Sequence, residues 1–440
     1  MEKTDSVPKL IWFRKIFFFA FLFILLFVPP LSFPGLQFKF QLIDLIIPFM
    51  LLWLIWKKGR SFSMMYVRNL LILLGVVIFS ILFNFRHNSF NDLFEIYDII
   101  KCIVVFLVFK EIYQPKIKQL AIDISFLVLI VVNLMHYHNI FGFNETIMPL
   151  YCGDNSIHLL TFGYNSIGEP ATKRMLGFIG NPNNNAILFM IFMIHYLPKK
   201  GWPTKDMVFF YLSVIAVSAC QSRTGIIAFA FIFIVNFIIV NWKWWKIVIH
   251  SVLVTLMLLF FFNIEAFSEY LQLDFLTPKK QNKDYIMSLF NEEAFQGNSW
   301  QKRVEIWNDL VRESAQKPIL GHGPQKNHFY DLQLYSENEY VLMLWRYGLI
   351  GLLIYMFIYL IPLKNALKRA RSEIESKNVV LLIALFMIAS ITNVPLSNTM
   401  LSPLFFMMMG FYYSNYKDYS DLVWLNRLKN KWLKNKTHEQ

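Results

Sequence analysis

The chain is poor in charge, poor in cysteine, and empty of the usual soluble-enzyme signatures. Of its 440 residues, 16% are charged, whereas a soluble domain carries about 25%. That deficit, set against 56% hydrophobic residues and 45 Phe, excludes a soluble enzyme and a disordered chain. Three cysteines exclude a disulfide framework and a cysteine-based metal site, since Cys102 and Cys220 lie in apolar runs and only Cys152 falls in a polar loop. There is no phosphate-binding Gly-rich loop, no H-E-x-x-H, no Cys/His cluster and no G-x-S-x-G. An internal repeat of the kind that marks many transporters is also missing.

What is present is one long apolar run after another. A bilayer core takes about 20 mostly apolar helical residues per crossing, because unpaired backbone groups are too costly in lipid. On that basis the fold class is an all-α polytopic membrane protein. Twelve crossings are expected, at 16–34, 38–56, 69–86, 94–110, 119–137, 180–197, 207–221, 224–241, 247–264, 338–362, 379–395 and 398–415. The 207–221 run is short enough to be a half-helix. The first run follows Arg14 and Lys15 and ends at Pro29-Pro30 without a small-x-small cleavage site, so it reads as an uncleaved first helix. The chain divides into a membrane domain (1–264), a large outer loop (265–337), three last crossings (338–415) and a basic tail (416–440).

The net charge of +13 has an orientation as its cause rather than nucleic acid. With both termini in the cytoplasm, the segments on that side hold 27 Lys and Arg against nine Asp and Glu, as the positive-inside rule requires. Two polar segments then face outward, 138–179 and 265–337. The second contains Trp300–Ala315, where Val304, Trp307, Leu310 and Val311 recur at helical spacing.

A short set of outward-facing side chains could carry chemistry. Arg174 stands in K-R-M-L-G-F-I-G-N-P-N-N-N, Arg223 in Q-S-R-T-G, and Arg303 in W-Q-K-R-V-E-I-W. A guanidinium keeps its charge and presents a donor fork matched to phosphate oxygens. Convergence of the three would make a lipid-pyrophosphate site; the bland alternative is interfacial snorkelling or pairing with a loop carboxylate. Glu337 and Asn338 open a crossing in S-E-N-E-Y. Capping by Ser336 with an acid in the first turn explains that pattern, and so does a general base for a sugar hydroxyl. His322 and His328, in G-H-G-P-Q-K-N-H, are proton-transfer candidates or ordinary loop polarity. Gly348 and Gly351 suit close helix packing. Lys101 sits deep in its crossing, where an unpaired charge costs about 2.5–3.5 kcal/mol or more. Asp98, three residues earlier on the same face, is its expected partner. Asp123, Asn133 and His136 are further intramembrane polar groups of the same ambiguous kind.

Five of these pieces together resemble the O-antigen ligase/polymerase superfamily of bacterial envelope glycosyltransferases. They are R-M-L-G-F-I-G-N-P-N at 174–183, S-R-T-G at 222–225, R-V-E-I-W at 303–307, P-I-L-G-H-G at 318–323, and E-N followed by G-x-x-G from Glu337 to Gly351. The resemblance spans about 174–362. It implies a GT-C-like, metal-independent glycosyltransferase without cofactors, in the bacterial inner membrane, with a periplasmic active site. Its donor would be a glycan on undecaprenyl pyrophosphate. Arg223 and Arg303, with Arg174 as a third, would hold the pyrophosphate.

One departure separates the subtypes. Ligases resembling this chain begin the last motif with His-Asn, and here that position is Glu337. The change favours a Wzy-type polymerase, in which a second lipid-linked repeat unit is the acceptor, Glu337 is the base and Asn338 orients it. A base relocated to His328 would keep a ligase acting on lipid A-core. The competing class is a lipid-linked oligosaccharide flippase. Membrane lipid, lipid-linked glycans and a chain-length regulator are the partners the resemblance implies, and nucleic acid is not among them.

Overall fold

The computed structural model describes residues 6–32, 39–57, 64–151, 174–199, 201–241, 244–262, 298–327 and 336–415. His328 and Cys152, the tail 416–440 and much of the expected outer loop lie outside the described residues. Among the described residues the regular structure is helical, apart from the two-residue strands Leu31–Ser32 (β1) and Lys39–Phe40 (β2), which pair antiparallel. In order the helices are Ser6–Phe27 (α1), Leu42–Trp56 (α2), Met65–Phe83 (α3), Leu93–Ile112 (α4) and Pro115–His138 (α5). Pro182–Tyr196 (α6), Thr204–Ala219 (α7), Arg223–Val240 (α8) and Trp244–Phe262 (α9) follow. Asn298–Ser314 (α10), Glu339–Leu367 (α11), Ile374–Thr392 (α12) and Leu401–Asn415 (α13) come last among the longer helices described.

Each apolar range read from the sequence holds one of these helices, and α10 is the amphipathic one. Among the described residues five helices (α3, α5, α8, α11 and α12) are long and apolar enough to cross a membrane. The apolar α2 is shorter, at 15 residues, and α4 carries Glu95, Asp98, Lys101 and Lys110. The 207–221 range holds α7, a helix of 16 residues.

Packing follows from which helices are apolar on every side. Such a helix belongs in the interior. In α6 every residue from Asn185 to Tyr196 is buried, and in α13 every residue from Leu401 to Tyr413. α13 lies directly on the backbone of α4: a Cβ at Gly410 would come 2.7 Å from the Phe106 carbonyl oxygen. The outer helices turn Phe49, Trp56, Leu82, Ile238 and Leu353 away from the protein, an apolar perimeter suited to lipid.

α11 is interrupted. At Gly348 φ is +64° and ψ −168°, a conformation that is essentially glycine-only. The break strands two carbonyls and two amides, and unsatisfied backbone groups in hydrocarbon cost several kcal/mol each. The segment 318–323 fills the gap. The amides of His322 and Gly323 donate to the carbonyls of Trp345 and Arg346, both at 2.9 Å. In return, the amides of Leu349 and Ile350 donate to Pro318 and Ile319 at 2.8 and 3.4 Å. From α3, Ser80 Oγ lies 3.0 Å from the Leu320 carbonyl and 3.2 Å from that of Arg346. Asn84 Nδ2 donates to Gly321 at 3.2 Å. A Cβ at Gly321 would overlap the Arg346 backbone, and one at Gly348 the Ile319 carbonyl. Gly348, expected as a helix-packing position, is therefore the break itself, and P-I-L-G-H-G is the piece that fits it.

Charge separates to the two ends of the bundle. At one end Lys118 pairs with Glu375 at 2.6 Å, Lys205 with Asp123 at 2.5 Å, Lys57 with Glu111 at 2.6 Å, and Lys199 with Asp206. The opposite end gathers the starts of α2, α4, α6, α8, α11 and α13. There Lys101, 2% exposed, is held at 3.2 Å by both Asp98 and Asp44. Asp98 was the expected partner; Asp44, from α2, joins it and also accepts from Tyr97 Oη at 2.8 Å.

Candidate active site

The segment 174–181 is tied down along its length before α6 begins. The Met175 amide donates to the Ala219 carbonyl at 3.0 Å, and the Leu176 amide to His136 Nε2 at 3.2 Å. Because Nε2 accepts that bond, His136 is the Nδ1-protonated tautomer, and Nδ1 lies 2.7 Å from Asn144 Oδ1. Asn185 Nδ2 bonds both Asn133 Oδ1 (2.9 Å) and the Met175 carbonyl (3.2 Å). Gly177, at φ +60°, leaves no room for a Cβ against those two amides. Asn133 and His136 thus act on the Arg174 segment as its framework. Asn181 then caps α6 by accepting from the amides of Asn183 and Asn184 at 2.9 and 3.1 Å, with Pro182 at the first helical position.

Arg174 spans two elements. Its Nε donates to the Cys220 carbonyl at 3.2 Å, and its Nη2 to Asn183 Oδ1 at 3.0 Å. It therefore rests on the turn that leads into Arg223. Ser222 caps α8 by accepting from the Gly225 amide at 3.0 Å, which leaves Arg223 exposed as the first helical residue. Thr224 Oγ1 meets Thr392 Oγ1 at the end of α12.

Arg303 and Glu337 form an ion pair through Nη2 and Oε2. Arg303 rides on α10, whose Ile306 and Leu310 pack with Leu342 and Trp345 of α11. Glu337 stands two residues before α11. Burial pushes its carboxyl above the ordinary glutamate value, and the nearby charges of Arg303 and then Arg174 partly offset this. Arg303 and Arg174 both act electrostatically on Glu337, and Arg174 bonds the turn that leads into Arg223.

Asn338 has a defined task. Its Oδ1 accepts from the amides of Tyr340 and Val341 at 3.0 and 3.1 Å, so Asn338 caps α11, a job the sequence offered to Ser336. Ser336 Oγ donates to the Asn338 carbonyl at 3.1 Å. His322 stacks on Trp345, with ring centroids 4.8 Å apart, and its Nε2 lies 3.1 Å from the Glu313 carbonyl, so it braces the loop.

Residues 208–356 match a family model described as O-antigen ligase. Over that third or so of its length, the chain is similar to O-antigen ligases. The matched stretch runs from α7 into the second half of α11 and takes in Arg223, Arg303, Glu337, Asn338 and the 318–323 insert; Arg174 precedes it. No curated protein matches the chain.

The residue that sequence reasoning passed over is Glu339. It is fully buried and accepts from Ser390 Oγ at 2.9 Å, Ser397 Oγ at 3.3 Å and the Leu396 amide at 3.4 Å. It fastens the start of α11 to the end of α12 and the turn after it. A signal for this existed: positions 339, 342, 343 and 346 trace one helical stripe, and all four are buried. Among the described residues no group of three or more His, Cys, Asp or Glu side chains is arranged to hold a metal ion.

Proposed function

We propose that the protein is a membrane glycosyltransferase of the polymerase type, joining repeat units carried on undecaprenyl pyrophosphate at the periplasmic face of the bacterial inner membrane. The observation that carries this reading is the grouping of Arg303, Glu337 and Arg174 at one end of the bundle, inside and beside the stretch similar to O-antigen ligases. Arg303 and Arg174, with Arg223 beside them, hold the donor pyrophosphate. An acceptor sugar hydroxyl attacks the anomeric carbon, the glycosidic bond forms, and the carbon–oxygen bond to pyrophosphate breaks with its electron pair leaving on the phosphate oxygen. The hydroxyl proton goes to Glu337. Guanidinium charge stabilises the leaving group most as that bond breaks, and this difference is what lowers the barrier.

The Arg303–Glu337 pair gives the donor a second role. Arg303 and Glu337 neutralise each other across their ion pair. A pyrophosphate that draws Arg303 away removes a group that lowers the Glu337 carboxyl, and so strengthens the base as the donor arrives.

The family description favours a ligase as the second reading; Glu337, where ligases carry histidine, favours the polymerase. A flippase is disfavoured by the break in α11. Broken helices in transporters leave their ends open to bind substrate or ions, whereas here the ends are taken up by residues 318–323.

A gel of surface glycan from a deletion strain tests the assignment. Product stopping at one repeat unit on its final carrier identifies a polymerase. Full-length polymer stranded on the lipid pyrophosphate identifies a ligase and removes the polymerase reading. Arg223→Ala and Arg303→Ala are expected to remove visible polymer from that gel with normal membrane levels of protein, leaving only a residual rate in purified protein; near-normal product from both would eliminate the phosphate clamp.

A further inference from the structure

The helix that carries Arg303 is held at its far end by a latch. Trp345 is 2% exposed and sits beside the break in α11, its carbonyl accepting from His322. Its indole Nε1 donates to Glu313 Oε2 at 2.9 Å. The Trp345 ring is covered by His322, whose Nε2 reaches back to the Glu313 carbonyl at 3.1 Å. Lys317 Nζ donates to Oδ1 of Asn84, the residue that ends α3, at 2.6 Å. The last turn of α10, the insert and the first half of α11 are therefore cross-linked at one point. Arg303 lies ten residues before Glu313, or about 15 Å along the helix. Between them Ile306 and Leu310 pack against Leu342 and Trp345 of α11 through apolar contacts.

We infer that Glu313 and Trp345 are positioning residues for Arg303: their hydrogen bond sets the tilt of α10 and so the point to which the guanidinium is delivered. The inference rests on the reading of Arg303 as a pyrophosphate contact. A tilt of about 10° over a ~15 Å arm moves the guanidinium ~2.6 Å, and misplacement by ~1 Å already costs a reacting pair up to about 100-fold. Neither residue touches the site itself. Glu313 is exposed and its carboxylate is used here as an acceptor, so its charge is not the property required.

The test is kcat/KM of the purified protein with a synthetic undecaprenyl-pyrophosphate-linked repeat unit. Trp345→Phe and Glu313→Leu are each expected to lower it about 10- to 100-fold, with unchanged detergent-extracted yield. Glu313→Gln, whose amide oxygen still accepts from the indole, should stay within about two-fold of wild type. In an Arg303→Ala background the residual rate should change less than about two-fold when Trp345→Phe is added, because the latch then has nothing to deliver. A full further loss in that background, or wild-type rates from both Trp345→Phe and Glu313→Leu, overturns the inference and leaves the pyrophosphate reading standing. Wild-type turnover from Arg303→Ala alone overturns that reading and the inference with it. Glu313 lies at the surface, so its pair of variants remains decisive even where Trp345→Phe lowers yield.

Discussion

Replacing Gly348 with alanine tests whether the break in α11 is a built feature. Two costs add. Alanine at φ +64° and ψ −168° sits in a region closed to side chains, at about 1–3 kcal/mol. Its methyl group would also overlap the Ile319 carbonyl. Clearing that overlap pulls the insert off the Leu349 and Ile350 amides, bonds worth about 0.5–1.5 kcal/mol net apiece. The sum is about 2–6 kcal/mol, against a total of about 5–15 kcal/mol for a typical folded protein. The control is Gly75→Ala in α3, where an added Cβ meets nothing within 4 Å and helix propensity gains up to about 1 kcal/mol. The assay is the fraction of detergent-solubilised protein that stays monodisperse after heating. Gly348→Ala should lower the midpoint well below wild type, and Gly75→Ala should match or raise it. A Gly348→Ala midpoint equal to that of wild type would refute the account of the break.

Burial raises the Glu337 carboxyl in the folded protein, so its neutral form contributes stability below the unfolded value, and that contribution is lost as pH rises through the folded value. As a base it works only once ionised, so the acid limb of kcat/KM should lie above the ordinary glutamate range. Arg303 lowers this carboxyl, and the acid limb of residual Arg303→Ala activity should therefore move to higher pH; movement to lower pH would contradict the pairing. Lys101→Met leaves Asp44, with a side chain 1% exposed, buried without its cation. A loss of about 3–5 kcal/mol is expected, read as a lowered thermal midpoint, with partial recovery in Lys101→Met/Asp44→Asn. Glu339→Gln should lower membrane yield while sparing turnover per molecule, and Glu337→Gln the reverse; the opposite pattern would place the base at Glu339.

Helix positions were legible because each depends on a local run of apolar residues, and α10 because its apolar stripe keeps helical period. Candidate charges were legible too, since an arginine beside an apolar run needs a reason. Their partners were not. Lys101 finds Asp98 within its own helix at a spacing any sequence displays, but Asp44 arrives from another helix, 57 residues earlier. The Pro318–Gly323 and Gly348 pieces were visible separately, and nothing local says that one is inserted into the other. An asparagine ahead of a helix looks the same in sequence whether it caps the helix or orients a base; the 3.0 and 3.1 Å amide bonds show that Asn338 caps α11. His136 is a similar case, an intramembrane histidine whose ring is taken up by Asn144 and by the Leu176 amide 40 residues away.

The sealed break also constrains how the protein comes to be inserted. Handed to lipid by itself, α11 would expose the carbonyls of Trp345 and Arg346 and the amides of Leu349 and Ile350 to hydrocarbon. The chain ahead of it supplies the remedy in order of synthesis: Ser80 and Asn84 on α3 come first, then the insert, then the helix that needs both. α3 thus holds part of the seat for the insert, and α11 is expected to be stable in the bilayer only together with residues 318–323. A chain with that segment replaced should stall between translocon and membrane with α1–α9 already in place, which makes the insert an assembly element as much as a part of the finished fold.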